Sequence, residues 1–160
     1  MTKEKIPTTP ALLALKAQNV VFTLETYKYM EKGGTRVSSA SLGVDEHCVI
    51  KTLVMEDESA HPLIILMHGD KEVSTKTLAR FLGVKSITPC KPEIAHKHTG
   101  YLVGGTSPFG TKKPITTYME KTITDLPEIL INAGARGLLA KMTPAELIRI
   151  LAPREVSVAI

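Results

Sequence analysis

The sequence predicts an α+β fold built on a mixed sheet. Short apolar runs rich in β-branched and aromatic residues recur along the chain and read as strands. Helical stretches with hydroxyl, proline and glycine punctuation lie between some of them. Strands and helices mix without strict β-α-β alternation, which is the pattern of a mixed rather than an all-parallel sheet.

Thr8, Thr9 and Pro10 open the first helix, a hydroxyl cap followed by proline in the first turn, and it runs through LLALKAQ. VVFTLETY reads as a strand, and Gly33-Gly34 as a flexible loop. VSSASLG is a short helix with Gly43 past its end. Asp45 caps a turn leading to the strand VIKTLVME, which is placed to form a hairpin with PLIILMHG after His61-Pro62. The unbroken apolar run of PLIILMHG predicts burial on both faces. Ser74 or Thr75 caps the helix STKTLARFLG, closed at Gly83. VKSIT is a short strand, PEIAHKHTG a weak helix, and YLVGG a strand entering a glycine-rich loop. PITTYME, PEILINAG and RGLLAKM follow, the first two strand-like. Thr143 and Glu146 make a T-x-x-E capping box with Pro144 at the first helical position, and Leu147, Ile148 and Leu151 keep helical spacing. VSVAI is a final strand or a frayed tail.

A length of 160 residues fits one domain spanning 1–160, with enough chain to bury a core. No apolar run approaches the roughly 18 residues a bilayer span requires. MTKEKIPTTP lacks the apolar segment of a secretory signal, which predicts a cytoplasmic protein. Cys48 and Cys90 stand far apart and read as structural thiols. The net charge of +4 suits a polyanionic partner without requiring one. With no Trp, three Phe and four Tyr, a module that reads nucleic acid by stacking bases is disfavoured.

TGYLVGGTSPFG, Thr99 to Gly110, is the most informative stretch. Gly104, Gly105 and Gly110 lack a Cβ, so main-chain N–H groups there can approach an oxyanion, phosphate or carbonyl. A hairpin turn needs glycine too, and that reading stays open. Lys51 interrupts the apolar segment CVIKTLVM and on alternation shares a face with Val49 and Leu53. A lysine there must snorkel, pair or meet a ligand. Ser107 precedes Pro108 with no nearby base, so a turn residue is a better reading than a nucleophile. His96 and His98, two apart, do not present both rings to one metal, and no metal-binding motif or cofactor signature occurs. In NAGARGL, Arg136 either binds phosphate or caps the carbonyls of the preceding strand.

Together, TLETYKY around Tyr27, VIKTLV around Lys51, TGYLVGGTSPFG, and AGARGL with the closing helix resemble the YbaK/EbsC family of aminoacyl-tRNA deacylases. The same domain is similar to the editing insertion of bacterial prolyl-tRNA synthetases. The resemblance covers nearly the whole chain and implies a sheet that closes partly, like a barrel. It also implies an enzyme that hydrolyses mischarged tRNA in trans, Cys-tRNA(Pro) first, with Ala-tRNA(Pro) or another small misacylated tRNA as the alternative. By this resemblance Lys51 anchors the 3′-terminal adenosine or its ester. The main chain around Gly104 and Gly105, continuing through Thr106, Ser107, Pro108, Phe109 and Gly110, holds the ester carbonyl or ribose. Tyr27 lines the mouth, Thr99 and Gly100 shape the wall, and Gly134, Arg136 and Gly137 complete the substrate site. No metal or other cofactor is implied. For a cysteinyl substrate, the substrate's own thiol attacks its ester. Lys112 and Lys113 are placed in sequence to meet acceptor-stem phosphates, and a reading as solvated loop lysines stays open. The implied partners are the acceptor end of a mischarged tRNA and prolyl-tRNA synthetase, with no membrane and no DNA. One position departs from the pattern: after Arg136-Gly137-Leu138, several relatives carry an acidic residue that reaches the aminoacyl pocket, and this chain has Leu139. Two other classes compete, a catalytically silent module that retains the pocket and a small-nucleotide binder that uses the loop as a phosphate cradle.

Overall fold

The computed structural model describes residues 6–160; residues 1–5 of the expected 1–160 domain, half of the N-terminal stretch read for a signal, lie outside the described residues. The helices are α1 (Pro10–Ala17), α2 (Gly34–Leu42), α3 (Thr75–Leu82), α4 (Pro92–Thr99) and α5 (Pro144–Leu151). The strands are β1 (Thr23–Thr26), β2 (Val49–Asp57), β3 (Pro62–His68), β4 (Ile87–Pro89), β5 (Thr116–Glu120), β6 (Ile129–Ala135), β7 (Leu138–Met142) and β8 (Arg154–Val156). They form one mixed sheet in the order β1-β7-β6-β2-β3-β5-β8, with β4 attached to β2. The α+β class and mixed sheet expected from sequence are present. The sheet stays open, however, with β1 and β8 as its two ends.

The expected hairpin is β2–β3, antiparallel from Ile50↔His68 to Glu56↔Pro62. β3 is buried on both faces because its side chains alternate between two cores. Ile64 and Leu66 join the larger one with Leu12, Leu15, Phe109, Ile131 and Leu147. Leu63, Ile65 and Met67 join the smaller one with Leu78, Tyr118 and Val158. A third cluster packs Val49, Leu130 and Leu139 beside Tyr27.

The helix starts follow the sequence. Thr9, Ser74 and Thr143 each accept an N–H from the first turn of α1, α3 and α5, respectively. The capping box is only half formed: the Glu146 carboxylate turns away to accept the N–H of Val21 and to pair with Arg149. Arg149 in turn donates to the Gln18 carbonyl, so α5 is tied to the end of α1. Gly33-Gly34 is no free loop, since Gly34 begins α2. VVFTLETY forms a strand only over Thr23–Thr26.

YLVGG is not a strand. Tyr101 turns inward and donates its hydroxyl to the Phe109 carbonyl at 2.6 Å. Gly105 N–H closes a turn on the Leu102 carbonyl at 2.9 Å, and Gly104 takes φ +87°. Leu102 and Val103 are left exposed. The C-terminal VSVAI is no frayed tail: Val73 bridges Ala159, and Glu72 and Ile160 exchange main-chain hydrogen bonds.

Candidate functional site

A split in the sheet creates the site. One edge of β2 pairs with β3 along nearly its whole length. The other edge meets β6 in parallel only at Val49 and Ile50, and β4 only at Met55–Asp57. Among the described residues no strand pairs with Lys51–Leu53 on that side, and a cleft of about 600 Å³ opens there. The Val54 carbonyl points to the β4 side, where it accepts the Cys90 N–H at 3.0 Å. Strand alternation then turns the main-chain N–H and C=O of Thr52 into the gap.

Lys51 lines this cleft, half-buried, on the face of β2 that carries Leu53 and Met55. Its ammonium donates to the Lys71 carbonyl in the turn between β3 and α3. Across the gap stands the glycine loop, of which Val103, Gly104 and Thr106 line the cleft. A Cβ on Gly104 would lie 2.6 Å from the Tyr29 hydroxyl, so both its φ and its packing select glycine.

Two side chains that the sequence did not single out hold this loop. Asn132 on β6 donates to the carbonyls of Gly104 (3.1 Å) and Ala135 (3.2 Å) and accepts the Gly134 N–H (2.7 Å). Tyr29 packs against Gly104 and carries the Arg136 guanidinium 5.0 Å above its ring. Arg136 donates to the Val103 carbonyl at 2.9 Å, so it braces the loop rather than capping the strand before it. The sequence signal for Asn132 was a polar residue of low strand propensity inside an apolar strand, two positions before a glycine.

The other expected residues surround this centre. Gly105 approaches the main chain of Arg136, Gly110 that of Pro10, and Gly137 the Tyr27 carbonyl, each too closely for a Cβ. Gly134 packs against Tyr101 and Thr9. Ser107, Pro108 and Phe109 are buried and anchor the far end of the loop in the core. The Ser107 hydroxyl accepts the Phe109 N–H. Thr99 is buried at the end of α4, donating to the Ala95 carbonyl and accepting the Tyr101 N–H. Gly100 caps that helix with φ +83°. Thr99 and Gly100 thus set where the loop begins and do not line the cleft. Tyr27 is likewise outside the lining, packed with Val49, Leu130 and Leu139, and burial together with Tyr29 pushes its phenol up. Lys112 and Lys113 are exposed beyond the end of α4.

Leu139 does line the cleft, and with Val49, Ile50 and Val103 it makes an apolar wall. Cys90 is on the lining too, but burial and the neighbouring Glu56 push its thiol up to about 11. Burial, with Asp45, also pushes up Cys48, whose thiol donates to the Asp45 carbonyl. Both thiols are therefore protonated at neutral pH. Among the described residues, no group of three or more His, Cys, Asp or Glu is placed to hold a metal. None of their helices is long and apolar enough to cross a membrane.

A chain of this architecture has clear relatives. Over 108 residues it is 31% identical to an Enterococcus faecalis protein, EbsC, designated a Cys-tRNA(Pro)/Cys-tRNA(Cys) deacylase. That match covers 68% of this chain and 66% of the relative. It is 30% identical over 112 residues to a proline–tRNA ligase of Thermodesulfovibrio yellowstonii, covering 70% of this chain but 18% of the ligase. A crystal structure described as a trans-editing enzyme for prolyl-tRNA synthetase superposes with a TM-score of 0.83 at 19% identity, over 97% of this chain and 99% of that one. At that identity the superposition establishes the fold. The profile of the aminoacyl-tRNA editing domain matches residues 34–150, which contain the split strand, the cleft and the glycine loop: this chain belongs to the aminoacyl-tRNA editing domain family.

Proposed function

We propose that this protein is a trans-acting aminoacyl-tRNA deacylase of the cytoplasm that clears Cys-tRNA(Pro). The reading rests on one observation: Lys51 and the Gly104 loop face each other across a single cleft. Ser107 is buried away from the cleft, and Cys90 is held as a thiol. An aminoacyl ester is labile enough to be cleaved by confinement and by donors aimed at its carbonyl.

In this reading the ester sits at the gap in β2. Lys51 and the main chain at Gly104 face its carbonyl oxygen as charge develops there, while the Gly105 N–H, spent on the Leu102 carbonyl, holds the loop in shape. The cysteinyl thiol attacks its own ester carbon, closing a cyclic thioester and expelling the 3′-oxygen of the terminal adenosine. The thiol proton ends on that oxygen. The wall of Val49 and Leu139 suits a small, weakly polar side chain, and an ionised one would be unpaired against it. Thr106, Tyr27, Arg136 and the remaining loop residues shape or brace the site, Lys112 and Lys113 meet acceptor-stem phosphates, and prolyl-tRNA synthetase is the natural partner.

The test is release of amino acid from Cys-, Ala-, Ser- and Pro-tRNA(Pro), with Lys51→Ala beside the parent. Cys-tRNA(Pro) should be cleared while Pro-tRNA(Pro) is spared, and the variant should be slower by about 10²–10³-fold, as for loss of an oxyanion donor. Preferential release of alanine would replace the substrate and remove the thiol step. No release above the spontaneous rate from any of the four would overturn the stand-alone tRNA(Pro) deacylase.

A further inference from the structure

Thr75 lines the cleft. That residue also lines a second groove, of about 510 Å³, which runs along α3 toward β4. Lys76, Arg80 and Lys85 line it, and its lining includes no Asp or Glu. Lys76 and Arg80 are four residues apart on α3, so both sit on one helix face, about 6 Å apart along the axis. Among the described residues none of the three cations is in an ion pair. The nearby carboxylate of Glu58 accepts the main-chain N–H groups of Lys85 and Ser86, which fixes it at the β4 end. Like charges at this spacing repel in the free protein, and an anion laid across them removes that repulsion.

We infer that this groove carries the acceptor strand of the tRNA. Phosphodiester oxygens lie over Lys76, Arg80 and Lys85, and the 3′ end turns over Thr75 into the cleft. Polyanionic RNA is the occupant that fits, because the cations are spread along a groove that shares Thr75 with the site where the ester would bind. The path is separate from Lys112 and Lys113, which lie beyond the end of α4. It rests on the deacylase reading for which end of the RNA enters, and on the groove itself for the contacts.

The experiment measures binding of uncharged tRNA(Pro) to the full chain across a salt series, for the parent and for the triple variant Lys76→Ala, Arg80→Ala, Lys85→Ala. Each phosphate contact contributes about 0.7–0.9 to the slope of log affinity against log salt. The triple variant should bind at least about tenfold more weakly at low salt, with a slope smaller by about 2–3. A charge-retaining triple, Lys76→Arg, Arg80→Lys, Lys85→Arg, should keep the parent slope, which separates charge loss from misfolding. Hydrolysis of 3′-O-cysteinyl adenosine, which has no phosphate, should be equal in parent and alanine triple. Unchanged affinity and slope in the alanine triple would overturn the groove. Parent protein that cleaves neither the short ester nor Cys-tRNA(Pro), while the alanine triple still loses slope, would leave the groove standing and sink the deacylase reading instead.

Discussion

Thr52 has a hydroxyl that is buried and has no hydrogen-bond partner among the described residues. A buried donor left unmade costs about 1–3 kcal/mol, whereas an apolar group of the same shape fills the space without that penalty. Thr52→Val should therefore raise the urea midpoint, by about 1 kcal/mol of stability; a lower midpoint would show that the hydroxyl has a partner in solution. The neighbouring Lys51 was legible in the sequence because one charge interrupts an apolar run. Asn132 and Tyr29 were not, because their importance lies in contacts to Gly104, 28 residues away for Asn132. Tyr27 was singled out in preference to Tyr29, two positions on, and only packing distinguishes the two rings: one closes on Leu139, the other on the glycine loop.

The end of β3 is fastened by a pair of stacked imidazoles. His47 and His68 lie 3.7 Å apart and within 5° of parallel. His68 is buried, with Nδ1 against the His47 carbonyl and Nε2 against the Thr122 hydroxyl. A carbonyl only accepts, so Nδ1 carries the proton and Nε2 takes the Thr122 hydrogen. His47 donates its own Nδ1–H to Asp70. Burial, reinforced by the facing His47, lowers the His68 pKa below its ordinary 6.5, whatever the opposing pull of the His47 carbonyl and the carboxylates of Asp70 and Glu120. The unfolded chain then binds the proton more readily, so this contribution is complete above pH 6.5 and is lost as pH falls through the lowered value. Unfolding free energy measured from pH 7.5 to 5 should drop by up to about 1.4 kcal/mol per pH unit more in the parent than in His68→Gln. Equal slopes would remove His68 as the source. Elements with local chemistry were readable in this way: the caps at Thr9, Ser74 and Thr143, and the hairpin of β2 and β3. YLVGG was misread because its composition is that of a strand, while a glycine at φ +87° and the inward turn of Tyr101 make it a loop. The outward turn of Glu146 was hidden for the complementary reason, since its partner Val21 is 125 residues away.

Across the whole molecule, the C-terminal segment reaches the wall of the cleft. Val158 is buried and donates its N–H to the buried Glu120 carboxylate at 2.8 Å. Its carbonyl accepts the Ser74 N–H, and Ile160 pairs with Glu72. Those bonds fix the turn whose Lys71 carbonyl holds Lys51. Deleting residues 157–160 should cost about 4 kcal/mol from the lost valine burial and the bond to Glu120. At temperatures where the shortened chain is still folded, amide exchange at residues 71–74 should speed up. Retained stability and unchanged exchange would mean that the turn stands alone. The open sheet was the least legible feature, because no local sequence signal encodes that β6 and β4 each borrow only one end of β2. That shared strand has an evolutionary consequence. The gap itself exposes main-chain groups that survive most substitutions, whereas the apolar wall beside it is made of replaceable residues such as Leu139 and Val103, which on the proposed reading is the side the amino acid meets. Such a scaffold can exchange one amino acid for another by single wall mutations without passing through an inactive ancestor, so close relatives of this chain can diverge in substrate while conserving their chemistry.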